Sequence, residues 1–278
     1  MCIRDRNYPE YPIPADEDLR QRALESYGVL DSGGDEHFDR LVRLASTVME
    51  TPTALISLVD GERQWFLARH GLEAQQTPRH MAFCAHAITE EAPLVVPDAR
   101  LDPRFCTNPL VTGAPHIRFY AGAPLQSSDG HNLGTLCVID RLPRRMSNAR
   151  VALLRDLAEL VQRELDLRRQ AHLCPLTGLL QRSHFLKLAQ RDLERSLADG
   201  HPMAMLVMGI QHTSLESPGQ DAPEGDHLLA ALAESCRKQL GPRDLIGRFG
   251  AREFALLLSL DGGQTAAQRA QNLSLIHI

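Results

Sequence analysis

The spacing of apolar residues predicts a helix-and-sheet domain in the first half of the chain. Residues 35–50 carry apolar side chains at helical spacing and predict one amphipathic helix, and a shorter helix is expected in residues 16–27. Residues 53–59 are apolar and rich in strand-forming types, and they end at Asp60 and Gly61. We therefore expect a strand, a turn and a partner strand in RQWFLARHG.

The region that follows predicts three more strands and a long loop. A short helix is expected around HMAFCAHAI, and strands are expected at PLVVPD, IRFYAGAPL and NLGTLCVID. Residues 99–116 show no periodicity, and long structured loops in compact domains are more often functional than not. Helices around an antiparallel sheet make an α+β domain.

Residues 147–172 predict one long helix with two apolar stripes. Two interpretations stay open: the helix packs on its own domain alone, or it also packs on a second copy of the chain as a homodimer. One stripe is Val151, Leu154, Ala158, Val161 and Leu165, and the other is Leu153, Leu157, Leu160 and Leu167.

The remainder of the chain predicts a second domain. HPMAMLVMGI predicts a buried strand, GDHLLAALAESCRKQLG predicts a helix that ends at glycine, and residues 246–259 predict a hairpin. The resulting βαββ order indicates α/β or α+β packing.

Length and composition fit two globular domains. The chain has 278 residues, a net charge of −5 and six cysteines without zinc-ligand spacing. This charge offers no basic field for nucleic acid, and no apolar run approaches the roughly 18 residues that a membrane span needs. We therefore expect a cytoplasmic protein with free thiols, no bound metal, no nucleic-acid partner and no membrane partner.

Both ends of the chain resemble adapter sequence. MCIRDR, residues 1–6, and LSLIHI, residues 273–278, are similar to translations of the two strands of a transposase adapter used in sequencing libraries. We expect both to be artefacts and exclude them from fold reasoning. On this expectation the native protein continues beyond both boundaries.

Several segments of the first half together resemble a known family. YGVLDS, FDRLVRLAS, ALISLVDGERQWF, FCAHAI, VVPDARLDPRF and GTLCVIDRLPR follow one another as in a GAF domain of bacterial signalling proteins. The resemblance covers residues 16–168 and includes part of the connecting helix at about 147–172. It implies a six-stranded antiparallel, PAS-like sheet, a ligand pocket on one face and dimerisation through the flanking helices.

From residue 173 onward the chain resembles a GGDEF domain, the cyclase-like, ferredoxin-type fold of diguanylate cyclases. Those enzymes join two GTP molecules into cyclic di-GMP. The matching segments are GDHLL, RFGAREFALLL and CPLTGLLQRSHF, in which Cys174 replaces an aspartate and Gln181 an asparagine. Residues 173–272 would form a partial domain, because the family continues with further strands and helices.

The resemblance allows the catalytic positions to be tested one by one. The family's reaction needs carboxylates that hold divalent metal against phosphate. Gly209 stands where a metal-binding aspartate is expected, and the neutral Gln211 stands at the next acidic position. Residues 213–218, TSLESP, keep no letter of the family's nucleotide-contacting FKxxND. In the feedback motif RxxD, Asp244 remains but Gly241 replaces the arginine.

The hairpin signature is altered at two of its letters. Ala251 replaces a glycine, and Arg252 puts a cation where the metal-binding acid belongs, which costs about 4 kcal/mol per unit of like charge at ~4 Å. We expect no retained catalytic residue and no metal site. A metal-free GTP site that uses Arg252 as a phosphate partner stays open. The five signature positions are Gly250, Ala251, Arg252, Glu253 and Phe254.

In the GAF-like half, polar and aromatic residues lie in and around the long loop. Convergent polar groups over an apolar floor are the usual form of a small-molecule site. Two structural alternatives stay open: Trp65 and Cys84 belong to the core, and Asp98 pairs with an arginine to hold the loop. The candidate ligand-binding residues are Arg63, Trp65, Cys84, His86, Asp98, Arg104, Arg118 and Tyr120.

These observations lead to one leading hypothesis and two alternatives. We expect a signalling protein in which a GAF sensor of an unidentified small molecule controls a catalytically degenerate GGDEF module, with no cofactor of its own. The enzymatic alternative is a diguanylate cyclase using GTP and magnesium, or a longer chain with a C-terminal EAL cyclic di-GMP phosphodiesterase. The other alternative is a GAF thiol redox sensor or enzyme that uses Cys84.

Overall fold

The computed structural model describes residues 11–209, 222–241, 243–260 and 265–274. The chain divides into two compact units, Met1–Leu167 and Arg168–Ile278. Within the described ranges, no helix combines the length and the apolar character that crossing a membrane requires. Residues 1–6 and the last four residues of the C-terminal adapter-like segment lie outside these ranges.

The first unit is an antiparallel sheet with helices on both faces. Its helices are α1 Glu17–Ser26, α2 Glu36–Met49, α3 Phe83–Ala87, α4 Pro109–Thr112 and α5 Asn148–Ala171, the last of which ends in the second unit. Its strands are β1 Thr53–Val59, β2 Arg63–His70, β3 Gln76–Pro78, β4 Leu94–Val96, β5 Phe119–Gln126 and β6 Asn132–Asp140. The strands pair in the order β3-β2-β1-β6-β5-β4, so the six-stranded antiparallel sheet is confirmed.

The predicted amphipathic helix is confirmed as α2. The Asp35 carboxylate accepts a hydrogen bond from the backbone N–H of His37 at 2.9 Å, which satisfies one free donor at the start of the helix. Phe38, Val42 and Met49 are buried on the side that faces the sheet.

Strand alternation divides the first unit into two layers of side chains. Leu58 on β1 pairs with Trp65 on β2, and both pack under α1, α2 and α5. The next pair along, Val59 and Gln64, faces the opposite side of the sheet. On that side α3, α4 and the long loop cover the sheet.

The two apolar stripes of the long helix α5 differ in how far they are buried. Leu154, Val161 and Leu165 are buried in the core of the first unit. Of the second stripe, Leu157 is buried, whereas the side chains of Leu153, Leu160 and Leu167 are 40%, 47% and 61% exposed.

In its described residues, the second unit combines a smaller sheet with three helices. Its strands are β7 Leu180–Gln181, β8 Met203–Gly209, β9 Leu245–Arg248 and β10 Glu253–Ser259, and its helices are α6 Arg182–Asp199, α7 Ala222–Gln239 and α8 Ala266–Ser274. The strand order is β7-β9-β10-β8, with β7 parallel to β9. Phe254, Leu256 and Leu258 of β10 pack on the α7 side, and Ala255 and Leu257 pack on the α6 side.

Two features of the second unit differ from the sequence prediction. The segment HPMAMLVMGI was expected to form a buried strand, but Met205 and Val207 of β8 are 54% and 57% exposed, so that expectation is wrong for one face. The reason is that β8 is the last strand in the order of the described sheet. Helices α6 and α8 were not predicted.

Candidate functional site

The first unit contains a cavity of about 450 Å³ between its sheet and the α3–α4 layer. Apolar side chains from the sheet, among them Leu55, Phe66 and Ile139, form one wall, and Phe83 and Leu110 close the other. The polar groups that line it are Thr53, Gln64, Thr77, Cys84, Tyr120, Asp140 and Arg141. A largely apolar cavity with a few polar groups is the usual form of a small-molecule site.

Three of these polar groups belong to one hydrogen-bond cluster. The Cys84 sulfur accepts hydrogen bonds from Gln64 Nε2 at 3.0 Å, from Thr135 Oγ1 at 3.0 Å and from Tyr120 Oη at 3.3 Å. Gln64 Nε2 also donates to Ser57 Oγ at 2.6 Å. All five residues are buried, so each polar atom needs a partner inside the protein.

A single glycine allows Tyr120 to reach this cluster. A Cβ atom added at Gly122 would lie 2.1 Å from Tyr120 Oη, closer than any real contact. Gly122 follows Tyr120 by two residues on β5 and therefore lies on the same face of the sheet. The absent side chain leaves the space that the Tyr120 ring occupies.

The cluster favours a charged sulfur on Cys84. Burial raises the pKa of this thiol, but hydrogen bonds from Cys137, Ser57, Thr135 and Tyr120 outweigh burial and lower the pKa to about 7. Burial and the nearby charge of Cys84 raise the pKa of Tyr120 well above its usual value. Tyr120 therefore stays protonated and donates to the sulfur.

Two of the eight predicted site residues line the cavity, namely Cys84 and Tyr120. Trp65 and Arg63 do not line it, because strand alternation places both on the other side of the sheet from Gln64. Arg63 instead pairs with Asp31 and Asp60 at 2.8 and 3.1 Å.

The other four predicted residues lie around the long loop, outside the cavity lining. Arg118 Nε and Nη2 bind both oxygens of Asp98 at 2.7 and 2.5 Å. Arg104 pairs with Asp102 rather than with Asp98. The ion pairs therefore match the structural alternative in which they hold the loop.

His86 packs edge-on against Phe105, with 4.8 Å between ring centroids. Burial, and then the charge of Arg104, lower the pKa of His86, which favours its neutral form.

Sequence reasoning missed three cluster members, Ser57, Gln64 and Thr135, and also Cys137, whose sulfur lies beside that of Cys84. Each occupies a buried position on a strand that is otherwise largely apolar. The available signal was a polar residue at a strand position where the alternation predicts burial. The sequence does not give the pairing register of the strands, so it could not show that these residues lie close together.

The second unit carries the predicted hairpin between β9 and β10. Gly209 at the end of β8 is the register partner of Glu253 at the start of β10. One position that the resemblance assigns to metal chemistry, Gly209, therefore has no side chain, and the other, Arg252, directly precedes its register partner Glu253. Among the described residues, no group of three or more acidic, histidine or cysteine side chains could hold a metal.

Comparison with known families assigns both units. Residues 34–165 match the GAF domain family, and residues 171–276 match the family described as diguanylate cyclase, GGDEF domain. The chain carries a GAF domain followed by a GGDEF domain. Both resemblances stated from the sequence are thereby confirmed.

Several known proteins are similar to this GAF–GGDEF chain. A cyclic di-GMP phosphodiesterase of Pseudomonas aeruginosa is 39% identical over 255 residues, which are 89% of this chain and 42% of that protein. A diguanylate cyclase of the same organism is 33% identical over 107 residues, 37% of this chain and 16% of that protein. The chain thus spans less than half the length of either relative.

Among solved structures, the GAF domain of a phosphoenolpyruvate-protein phosphotransferase from Coxiella burnetii aligns with a TM-score of 0.43 and 15% identity. The alignment covers 55% of this chain and 95% of that chain.

In the GGDEF domain, the Arg248 side chain is hydrogen-bonded to the turn of the altered hairpin. Its guanidinium donates to the backbone oxygens of Gly250 and Ala251 at 3.2 and 2.9 Å and to the Cys174 sulfur at 3.1 Å. The backbone at Ala251 does not adopt the left-handed conformation that favours glycine. Alanine is therefore compatible with this turn.

Asp244, the residue of the feedback motif that is kept, forms hydrogen bonds and an ion pair within the GGDEF domain. Its carboxylate accepts from the backbone N–H groups of Gly241 and Ser259 at 2.7 and 2.9 Å and pairs with Arg269. The predicted substitutions at Gln211 and residues 213–218 lie outside the described residues.

Proposed function

We propose that this chain is a cytoplasmic cyclic di-GMP signalling protein in which the GAF domain binds a small, largely apolar molecule and the GGDEF domain works without metal-dependent cyclase chemistry. The absence of metal-dependent cyclase chemistry is supported by the pairing of Gly209 with Glu253, which follows Arg252 in the chain. Glu253 is the single carboxylate that these three positions provide.

Electrostatics support this proposal. Phosphoryl transfer between two nucleotides needs divalent cations to offset the phosphate charge. One carboxylate next to a guanidinium provides no net negative charge to attract such a cation. At ~4 Å the guanidinium and the metal cation repel each other by about 4 kcal/mol per unit of metal charge. The GGDEF domain then acts as a binding or dimerisation element.

A cyclase assay tests the proposal. The purified chain is incubated with GTP and magnesium or manganese, and cyclic di-GMP is measured by chromatography. We expect no product above background. Clear turnover by the unaltered chain would contradict the proposal.

A variant with restored carboxylates tests whether charge at positions 209 and 252 excludes the metal. A Cβ atom added at Gly209 meets no atom within 4 Å, so aspartate fits there. We expect the combined change Gly209→Asp and Arg252→Glu to increase Mn²⁺ binding at least tenfold, because it adds two carboxylates and removes a cation. Equal Mn²⁺ binding by both proteins would show that charge at these positions is not what excludes the metal.

The GAF cavity can be tested with an apolar fluorescent probe, 8-anilinonaphthalene-1-sulfonate. Ala74 lines the cavity at an exposed position, so Ala74→Trp fills the entrance with little effect on the core. Ala92 is equally exposed but lies outside the lining, and Ala92→Trp is the matched control. We expect only Ala74→Trp to reduce probe binding.

The proposal includes a homodimer formed through α5. The exposed leucines Leu153, Leu160 and Leu167 recur every seven residues, which is the repeat of a two-stranded coiled coil. The buried stripe of the same helix already packs on the GAF core, so the exposed stripe is available for a second copy.

A second candidate is the regulatory part of a cyclic di-GMP phosphodiesterase. It is favoured by the 39% identity over most of this chain to a protein named as such an enzyme. Assay for cyclic di-GMP hydrolysis, on the purified chain and on any longer native protein that contains it, tests this candidate. Hydrolysis by either protein, together with no synthesis, supports this candidate.

A further inference from the structure

Two thiols face each other at the floor of the GAF cavity. Cys84 on α3 and Cys137 on β6 have their sulfur atoms 3.9 Å apart, and both are free thiols. They are 1% and 0% exposed to solvent. A disulfide needs sulfur atoms about 2.05 Å apart, so the two sulfurs, 3.9 Å apart, must approach each other by about 1.9 Å.

The two sulfurs have different chemical roles. Cys84 receives hydrogen bonds from Gln64, Thr135 and Tyr120, all of which stabilise a negative charge on it. The hydrogen bond to Cys84, together with burial, raises the pKa of Cys137 well above its usual value. Cys84 is thus the nucleophilic thiolate and Cys137 is the partner that keeps its proton.

The cavity gives a small molecule access to only one of the pair. Cys84 lines the cavity, and Cys137 lies behind it. A volume of about 450 Å³ admits a neutral molecule as small as hydrogen peroxide. None of the other described cysteines lines the cavity. Cys106 is exposed, and Cys236 is buried among apolar residues of the GGDEF domain, where burial raises its pKa. The pKa of Cys174 is also lowered to about 7, but this residue belongs to the GGDEF domain.

We propose that Cys84 and Cys137 form a reversible disulfide when hydrogen peroxide enters the GAF cavity. The Cys84 thiolate attacks a peroxide oxygen, an S–O bond forms, the O–O bond breaks, and hydroxide leaves. Cys137 then loses its proton and attacks the sulfenic sulfur, so that the S–S bond forms and water leaves. Two thiols are oxidised by two electrons, and one peroxide is reduced.

The disulfide changes the floor of the cavity. Tyr120, Thr135 and Gln64 lose the charged sulfur that accepted their hydrogen bonds. These buried donors must then find other partners, since an unsatisfied buried donor costs about 1–3 kcal/mol. Oxidation therefore alters the surface that the cavity presents, independently of which ligand the cavity binds.

Peptide mapping of the whole chain tests the proposal. The reduced protein is treated with one equivalent of hydrogen peroxide, free thiols are alkylated, and the digest is examined by mass spectrometry without reduction. We expect a cross-linked peptide pair containing Cys84 and Cys137, which dithiothreitol separates. Both thiols still open to alkylation after Cys106 has been oxidised, or sulfinic acid at Cys84 without a cross-link, would overturn the proposal.

Variants separate the two chemical roles. Cys137→Ser should stop the reaction at a sulfenic acid on Cys84 that dimedone traps, whereas Cys236→Ser should leave the cross-link unchanged. Tyr120→Phe removes one donor to the thiolate, and we expect it to slow cross-linking at pH 7 by about fivefold, which corresponds to one hydrogen bond. An unaltered rate and pH profile in Tyr120→Phe would remove the role assigned to the donors.

Discussion

Cys174 shows how one residue can preserve a structural interaction after its family's usual side chain is lost. It stands where the GGDEF family has an aspartate, and its sulfur accepts from Arg248. Burial raises the pKa of this thiol, but hydrogen bonds, first from Thr177 and then from Arg248, lower it from the usual 9.0 to about 7. A thiolate at this position accepts the hydrogen bonds that a carboxylate would accept.

This substitution predicts a pH-dependent stability. The folded pKa is lower than the unfolded pKa, so the stabilisation is present in full above pH ~9 and is lost as the pH falls through about 7. We expect Cys174→Ala to reduce the free energy of unfolding by about 1–3 kcal/mol at pH 9 and by less at pH 6. Urea unfolding at both pH values measures the difference.

Cys174→Asp is the matched control. An aspartate is ionised across this pH range, so this variant should keep its stability between pH 6 and pH 9. A Cys174→Ala effect that does not change with pH would mean that the thiol is not ionised in the fold.

A second prediction at this scale concerns Gly122. Gly122→Ala places a methyl group where the Tyr120 ring lies, so the ring must move away from Cys84. We expect a loss of about 1–3 kcal/mol in the free energy of unfolding and slower reaction of Cys84 with iodoacetamide at pH 7. Gly33, where an added Cβ meets nothing within 4 Å, is the control position.

Single residues also show where sequence reasoning reaches its limit. Cys84 and Tyr120 were predicted as site residues and do line the cavity. Trp65 was selected because the resemblance placed the pocket near its strand, yet on that strand it is Gln64, one residue away, that faces the cavity. Cys137 was not selected, because its proximity to Cys84 depends on the packing of α3 on β6, which the sequence pattern does not contain.

At the scale of elements, α5 carries the most direct prediction. Its exposed leucine stripe should hold two copies of the chain together if the proposed homodimer forms. We expect Leu153→Glu combined with Leu160→Glu to shift the mass measured by light scattering from dimer to monomer. Because both side chains are exposed in one copy, the helical content seen by circular dichroism should not fall.

The control replaces neighbouring exposed positions of the same helix. Arg155→Glu and Glu159→Lys change charge without touching the leucine stripe, so these variants should keep the mass of the unaltered protein. A monomeric unaltered protein would remove the homodimer from the proposal.

Elements with strong periodicity were predicted well, and short or partly exposed elements were not. The amphipathic pattern of residues 35–50 defined α2, and the apolar run of residues 53–59 defined β1. Strand β3 has three residues, which is too short for an alternation to be recognised. For β8 the apolar letters were read correctly as a strand, but their burial depends on neighbours in the sheet rather than on the strand itself.

At the scale of the whole molecule, the chain has two separate sets of cores. The GAF domain has one core on each face of its sheet, and the GGDEF domain has its own two clusters around β10. The order of short motifs sufficed to assign both folds from the sequence. The cavity could not be derived in that way, since residues from five strands, two helices and several loops line it.

Separate cores predict two unfolding transitions. Phe254 is buried at the centre of the GGDEF domain, and Phe254→Ala should lower the stability of that domain by about 3–5 kcal/mol. In scanning calorimetry we expect one transition to move to lower temperature and the other to stay in place. A single transition that moves as a whole would show that the two domains unfold as one unit.

The position of Trp65 has a practical consequence for experiments on this protein. It is the chain's one tryptophan, and it is buried beneath the helices on the side of the GAF sheet away from the cavity. Its intrinsic emission therefore reports the integrity of the GAF core and is separated by the sheet from anything that enters the cavity. For a ligand or oxidant that does not absorb at the tryptophan emission wavelength, a change in this fluorescence therefore reports movement of the strands around Trp65.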